Sequence, residues 1–266
     1  MLLAELGFTF RRRRVQVLLA ALASVPVLIT VSLKLFGGVE GGDGPTFLSQ
    51  VTGNGVFAAL AALTVTVPVF LPMAATIVAA DTISGEAGLG TLRYLLVRPA
   101  GRTRLLAAKA TAVAAFCLAA AFAVAVAGLV VGAILFPVGR ITTLSGDTLP
   151  IVAGMVRILA AAGVVGLSLF GLAALGLFVG TLTDFSVGAI AATLGLLVLA
   201  GVLGSIPQLH ALHPWLFTNG WFAFGDLLRT DVTWDAIGRD LLLQGGYVVV
   251  FGTAAWARLT TKDILA

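Results

Sequence analysis

Residues 105–136 read LLAAKATAVAAFCLAAAFAVAVAGLVVGAILF, an apolar run that contains a single charged residue, Lys109. About 20 predominantly apolar residues are enough for a helix to cross a bilayer. The run therefore predicts a membrane-spanning helix. Because it is longer than a span requires, we expect it to tilt or to protrude from the bilayer.

The composition of the whole chain extends this prediction beyond one helix. Of the 266 residues, 59% are hydrophobic and 11% are charged, whereas soluble domains are about half apolar and about a quarter charged. A chain of this size could not bury so much apolar surface in a water-soluble fold, so lipid must cover the remainder. The net charge of +4 is then explained by basic loops beside spans, not by binding to nucleic acid.

Five further apolar runs have the length of a span. They lie at roughly 15–36, 54–80, 151–182, 186–206 and 241–257. Together with 105–136 they predict an all-α integral membrane protein with six transmembrane helices in a single domain over residues 1–266. The arginines ahead of the first run resemble the start of a signal peptide, but no small-x-small cleavage site follows, so we expect an uncleaved first span.

Lysine and arginine indicate the orientation of these spans. If the N-terminus is cytoplasmic, 11 of the 16 basic residues lie in cytoplasmic segments or at their helix ends. They are Arg11, Arg12, Arg13, Arg14, Arg93, Arg98, Arg102, Arg104, Lys109, Arg258 and Lys262. Because short cytoplasmic loops are enriched in basic residues, we expect both termini on the cytoplasmic side of the cell (inner) membrane.

Two segments outside the spans are expected to lie along the membrane surface. Residues 1–14 place four apolar side chains near one helical face ahead of four arginines. They predict either an interfacial helix or a plain basic flank of the first span. Residues 207–240 mix aromatic and charged side chains, which predicts short outer helices before the last span. We expect the carboxylates of residues 226–240 to face water.

Two prolines, Pro68 and Pro72, interrupt the second span. Each removes a helical hydrogen bond and favours a kink. The hydroxyls of Thr64 and Thr66 are expected to satisfy part of the freed carbonyls. The kink would be either a hinge or pathway lining, or a static bend.

Two G-x-x-x-G pairs predict close helix packing. They are Gly128 with Gly132 and Gly176 with Gly180. In a chain that contains 32 glycines, we expect these pairs to pack helices within the chain and not to form a dimer face.

Several kinds of chemistry are absent from the sequence. No Walker A motif occurs, so we expect neither ATP binding in a P-loop nor enzyme activity from this chain. No zinc motif surrounds His210 and His213, and we expect no metal site, no cofactor and no catalytic residue. Lys109 and Arg157 lie near helix ends, from which we expect them to snorkel. The lack of a mid-membrane charge disfavours an ion-coupled carrier.

The segment between the second and third spans, residues 81–104, reads DTISGEAGLGTLRYLLVRPAGRTR. Its glycines permit tight backbone geometry. Residues 91–97 predict a short amphipathic helix that begins at Thr91 and stops before Pro99. A short helix with a ridge of three leucines and charged flanks suits a groove on a cytoplasmic partner.

This segment resembles the first cytoplasmic loop of type-two ABC exporter permeases. The resemblance is carried by the order D-x-I-x-G-E, G-T-L-R, L-L, P and R within residues 81–104. The predicted layout is similar to that family: an interfacial N-terminal helix, six spans with a long fourth, and short outer helices before the sixth. The resemblance implies that the segment is a coupling helix that fits a cleft on a separate ATPase subunit.

The resemblance also implies the partners and the coupling residues. The partners would be two ABC ATPase subunits, which carry ATP and magnesium, and a second permease copy that is identical or related, in contact with membrane lipids. The coupling residues would be Asp81, Ile83, Gly85, Glu86, Gly90, Thr91, Leu92, Arg93, Leu95, Leu96, Pro99 and Arg102. Thr183 and Asp184, in the turn between the fourth and fifth spans, would form a secondary contact.

Two functions follow from these expectations. The first is the permease subunit of an ATP-driven exporter. Apolar spans make a lipophilic substrate easier to reconcile with it than a sugar or a metal ion, although no substrate-binding residue is indicated. In this function Glu86 and Arg93 would hold the loop in shape or grip the ATPase. The alternative is a membrane scaffold or sensor subunit that uses the same loop to bind a cytoplasmic protein without transport.

Overall fold

The structure is a computed structural model, and it describes residues 2–36, 51, 53–88, 101–139, 141–142, 148–229 and 231–261. The helices are α1 (Leu2–Arg11), α2 (Arg13–Phe36), α3 (Phe57–Thr66), α4 (Phe70–Gly88), α5 (Arg102–Leu135), α6 (Ile151–Ser168), α7 (Phe170–Leu182), α8 (Ser186–Ser205) and α9 (Asp235–Thr261). Three short 3₁₀ helices, Pro207–Leu209, His213–Trp215 and Ala223–Leu228, precede α9. Two antiparallel two-residue strands, β1 (Ile141–Thr142) and β2 (Thr148–Leu149), follow α5.

Four of the described helical segments are long and apolar enough to cross a membrane. They are Arg13–Phe36, Arg102–Leu135, Ile151–Leu182 and Ser186–Ser205. The bent pair α3 and α4 makes a fifth if it counts as one span. The sixth predicted run lies within α9, which carries Arg239, Asp240 and Gln244 in its first half and is not among these segments.

The predicted kink in the second span is confirmed. α3 ends at Thr66, α4 begins at Phe70, and the two helices are bent by 57°. The expectation for the threonines is wrong in detail. Thr66 donates to the carbonyls of Ala62 and Leu63, and Thr64 donates one turn back along α3. These carbonyls precede the ones that the prolines free, because a proline removes the bond to the carbonyl four residues before it.

The two G-x-x-x-G pairs pack helices within the chain, as the sequence predicts. A side-chain carbon at Gly128 would lie 2.5 Å from the Cα of Ala59, and one at Gly132 would clash with the carbonyl oxygen of Gly55. Gly176 and Gly180 contact α4 at Ala79 and Ala80 in the same way. Any side chain at these glycines would push the helices apart, so the core depends on small residues at these crossings.

The contacts at the helix ends place both ends of the described chain at the same end of the bundle. Glu5 of α1 contacts Lys109, and Arg102 donates to the carbonyls of Leu259 and Thr260 at the end of α9. We call this the loop end, defined by Gly88, Arg102 and Ser186. The opposite end, defined by Leu135, Ile151 and Asp235, is the far end.

Candidate functional site

The predicted coupling segment begins inside a helix. Residues 81–88 form the last two turns of α4, and α5 begins at Arg102, so only part of the predicted 81–104 loop lies between helices. Ile83 is buried in the core and does not face a partner. Seven of the predicted coupling residues lie outside the described residues: Gly90, Thr91, Leu92, Arg93, Leu95, Leu96 and Pro99.

The centre of the site is an ion pair between Glu86 and Lys109. The Lys109 ammonium lies 2.6 Å from the Glu86 carboxylate, and Lys109 is only 1% exposed. The same ammonium contacts the Glu5 carboxylate at 3.2 Å and donates to the Thr82 carbonyl at 3.2 Å. The expectation that Lys109 snorkels to water is therefore wrong, because its three donors are directed into the protein.

Asp81 forms the second half of the same site, one and a half turns earlier on α4. Its carboxylate lies 3.0 Å from the Arg14 guanidinium and 3.9 Å from that of Arg12. It also accepts a hydrogen bond from the hydroxyl of Ser186, the first residue of α8. Arg12 reaches Glu86 at 3.4 Å and so joins the two carboxylates of α4.

Together these residues form what we call the charge cluster: Glu5, Arg12, Arg14, Asp81, Glu86 and Lys109. Three carboxylates face three cations at the loop end of the bundle. Charges out of water require such pairing, because an uncompensated buried charge costs several kcal/mol. The cluster fastens the end of α4 to α1, α2 and α5, and the Asp81–Ser186 bond adds α8.

Two predicted glycines allow the close approach of neighbouring groups. A side-chain carbon at Gly85 would lie 2.7 Å from the Asp81 carboxylate, and one at Gly88 would lie 2.8 Å from the Asp184 carbonyl. Among the described residues only Gly101 has a positive φ. Gly85 and Gly88 are thus needed for space and not for unusual backbone geometry.

The secondary contact predicted at Thr183 and Asp184 lies beside the end of α4. Thr183 accepts a hydrogen bond from the backbone of Phe185, within the turn that joins α7 to α8. Phe185 is 78% exposed and Val187 is 80% exposed, so two apolar side chains project from this turn. The structure brings this turn and the stem of the 81–104 segment together at one groove.

That groove has a cavity volume of about 550 Å³. Its lining comes from the α1–α2 junction, from the end of α4 and from the turn before α8, and it includes Phe8, Arg12, Asp81, Glu86, Phe185 and Val187. The groove combines exposed apolar side chains with charged groups, and the ends of two interhelical connections border it. Such a mixed surface suits a protein partner.

Arg102, another predicted coupling residue, has a different environment. Its guanidinium donates to the carbonyls of Leu259 at 3.0 Å and Thr260 at 2.6 Å. A cation at the C-terminus of a helix satisfies carbonyls that lack an intrahelical donor. The Trp256 indole donates to Thr103 beside it at 2.8 Å. Arg102 therefore fastens α9 to the start of α5.

Sequence reasoning missed four members of the charge cluster and Ser186. The missed members are Glu5, Arg12, Arg14 and Lys109. One signal could have found Lys109, since it is the single charge in the run 105–136 and such a charge requires a partner. The arginine run also divides in two: Arg12 and Arg14 join the cluster, whereas Arg11 and Arg13 are exposed and form no ion pair within the described chain.

A second buried polar group lies toward the far end. Asp240 is 3% exposed, so the expectation of a solvated face over 226–240 is wrong at this residue. Its carboxylate accepts hydrogen bonds from the Ser168 hydroxyl and from the Gln244 amide, the latter at 3.0 Å. The Trp221 indole donates to the carbonyl of Ser168, where the helix breaks between α6 and α7. We call Ser168, Trp221, Asp240 and Gln244 the far-end cluster.

The long apolar helices and their close packing define a helical membrane protein with four or five candidate spans. The chain belongs to the family described as protein of unknown function (DUF2705), whose model matches residues 19–265. No curated protein matches the chain. The family match includes Asp81, Glu86 and Lys109 and begins after α1 and the arginine run.

Proposed function

We propose that this chain is the membrane-spanning permease subunit of an ATP-driven exporter. The observation that carries the proposal is the charge cluster, because it joins the stem of the 81–104 segment to three other helices. The resemblance of that segment to the coupling loop of type-two ABC exporter permeases supplies the partner, an ATPase subunit.

The proposed topology has six spans with both termini in the cytoplasm. α9 serves as the sixth span, and the loop end faces the cytoplasm. Two facts support this orientation: most of the basic residues that the structure describes lie at the loop end, and the arginine run 11–14 spans the junction of α1 and α2 beside the expected membrane surface. α1 then lies in the interface, and the exposed Arg11 at its end and Arg13 at the start of α2 face anionic headgroups.

The proposed mechanism transmits motion through α4. Binding of ATP and magnesium brings the two ATPase subunits together, and the docked segment 89–100 moves with these subunits. The charge cluster holds the end of α4 rigidly against its neighbouring helices. A displacement of the docked segment is therefore transmitted to the spans and is not absorbed by a flexible loop. The 57° bend between α3 and α4 is the place where the helix can pivot, which would alternate the access of a lipophilic substrate.

Affinity purification in mild detergent tests the partner. We expect an ATPase that carries a Walker motif to copurify, and we expect its hydrolysis to respond to lipophilic compounds. A copurified partner without ATPase activity would support the scaffold or sensor subunit instead.

A charge reversal tests the coupling segment. Arg93→Glu should reduce copurification of the ATPase and export while leaving membrane insertion unchanged, because it places a repulsive charge in the docking segment. Arg258→Glu is the matched control, since Arg258 is an exposed arginine in the last turn of α9 at the same end. Normal export by the Arg93→Glu variant would show that the coupling assignment is wrong.

A further inference from the structure

A second groove lies away from the charge cluster, between α9 and the 3₁₀ helix His213–Trp215. Its cavity volume is about 630 Å³. α9 lines it with Arg239, Leu242, Gly246 and Val250, at intervals of three or four residues that define one face of a helix. The groove therefore runs along α9 from its far-end turns toward the middle of the bundle.

The two ends of this groove differ in polarity. Arg239 at one end is exposed and makes no ion pair among the residues that the structure describes. Phe251 at the other end is apolar, and the wall between them is mostly aliphatic. Trp215 borders the groove and is 70% exposed, and the Tyr247 hydroxyl donates to the Trp215 carbonyl at 2.8 Å. One cation and aromatic side chains beside an apolar channel match an amphiphile that has an anionic head.

The length of the groove matches an extended acyl chain. The twelve residue steps from Arg239 to Phe251 extend about 18 Å along a helix, slightly more than one leaflet of the hydrocarbon core, about 15 Å. A single acyl chain of one leaflet can therefore lie along the whole apolar wall.

We propose that this groove holds one acyl chain of an anionic phospholipid whose phosphate pairs with Arg239. The assignment of that lipid to the outer leaflet rests on the proposed topology. The acyl chain covers the aliphatic wall, and Gly246 keeps the channel open at its middle. The phosphate supplies the counter-charge that Arg239 lacks among the described residues.

The glycines of α9 provide matched variants for a test. A side-chain carbon at Gly246 or at Gly245 meets nothing within 4 Å, so either position accepts leucine without strain. Gly246 lines the groove and Gly245 does not. Gly246→Leu therefore fills the channel, and Gly245→Leu is a control with the same composition at the same depth. Arg239→Gln removes the cation alone.

Native mass spectrometry of the full chain in mild detergent is the measurement. The probes are phosphatidylglycerol and phosphatidylcholine of equal chain length, added separately. We expect one phosphatidylglycerol to be retained by the unsubstituted chain and by Gly245→Leu, and to be lost from Gly246→Leu. Arg239→Gln should lower the preference for phosphatidylglycerol over phosphatidylcholine about fivefold, which is the effect of one basic residue near an anionic surface.

Three results would overturn the proposal. The first is equal retention of phosphatidylglycerol by the Gly246→Leu and Gly245→Leu variants. The second is an unchanged lipid preference in Arg239→Gln. The third is a dimer of the unsubstituted chain that Gly246→Leu dissociates while lipid retention stays constant. The last result would assign the groove to a second copy of the chain. Because the assay needs no ATPase, a negative result here leaves the exporter proposal standing.

Discussion

Two carboxylates are buried among the residues that the structure describes, Glu86 and Asp240, and they are satisfied in opposite ways. Glu86 at the loop end is paired with Lys109 and Arg12, and its neighbours carry further charges of both signs. Asp240 in the far-end cluster receives hydrogen bonds from the neutral side chains of Ser168 and Gln244, and it forms no ion pair within the described residues.

This difference separates a charged connection from a neutral one. The charge cluster joins several helices through ion pairs that still involve partly exposed arginines, so salt screens its rim more than its buried centre. The far-end cluster joins a helix break to α9 through side chains that are all buried. The comparison teaches that the loop end is held together by paired charges and the far-end cluster by hydrogen bonds from neutral side chains.

The largest effect is expected when the charge cluster loses its central cation. Lys109→Met leaves Glu86 and Glu5 without their buried partner, and breaking a buried pair in this way costs about 3–5 kcal/mol. The free energy of unfolding in detergent measures the loss. The double variant Lys109→Met with Glu86→Gln should recover much of that loss, since it also removes a buried charge. An unfolding free energy for Lys109→Met within 1 kcal/mol of the unsubstituted chain would argue against the buried pair.

A smaller effect is expected at Asp240, and it tests the comparison directly. Asp240→Ala removes an acceptor that Ser168 and Gln244 share and leaves them only the carbonyls of Val164 and Phe217, so a buried amide hydrogen loses its partner at a cost of about 1–3 kcal/mol. Asp240→Asn keeps an acceptor and should cost less. At the loop end, Glu86→Gln should be worse than Asp240→Asn, because it deprives two cations of a carboxylate. Thermal unfolding of the three variants gives the ranking, and a reversed order at the two sites would remove the distinction between them.

The smallest effect is expected at the rim of the charge cluster. The Arg14 side chain is 58% exposed, so Arg14→Gln should cost at most about 1 kcal/mol. That cost should vanish in 1 M salt, where the Debye length is about 3 Å. The cost of Lys109→Met should persist in the same salt because that pair is buried. A salt-insensitive effect at Arg14 would mean that its pair with Asp81 is better shielded than its exposure indicates.

The sequence predicted much of the fold through local signals. Long apolar runs predicted four of the helical stretches with nearly the observed limits and a fifth, 54–80, that continues to Gly88 in the structure, and Pro68 and Pro72 predicted the bend. The glycine pairs predicted close packing inside the chain. These features depend on residues that are near one another along the chain, which is why pattern and spacing are enough to find them.

The candidate site was predictable only in part. Glu86 was identified from its loop motif, yet its partners Arg12 and Lys109 lie 74 and 23 positions away, and no local pattern joins them. The same holds for Asp240, whose partner Ser168 is 72 positions away. Charge alone did not distinguish the buried Asp240 from its exposed neighbours. Burial follows from which helices meet, and that is set by packing in three dimensions.

The buried position of Lys109 also has a consequence for the synthesis of the chain. Glu5 and Glu86 both precede Lys109, so they have already been translated when this lysine reaches the membrane. A lone ammonium at the edge of an apolar helix is costly to insert, and here its counter-ions are already made. We therefore expect α5 to insert only after the segment that contains Glu5 has assembled with the end of α4.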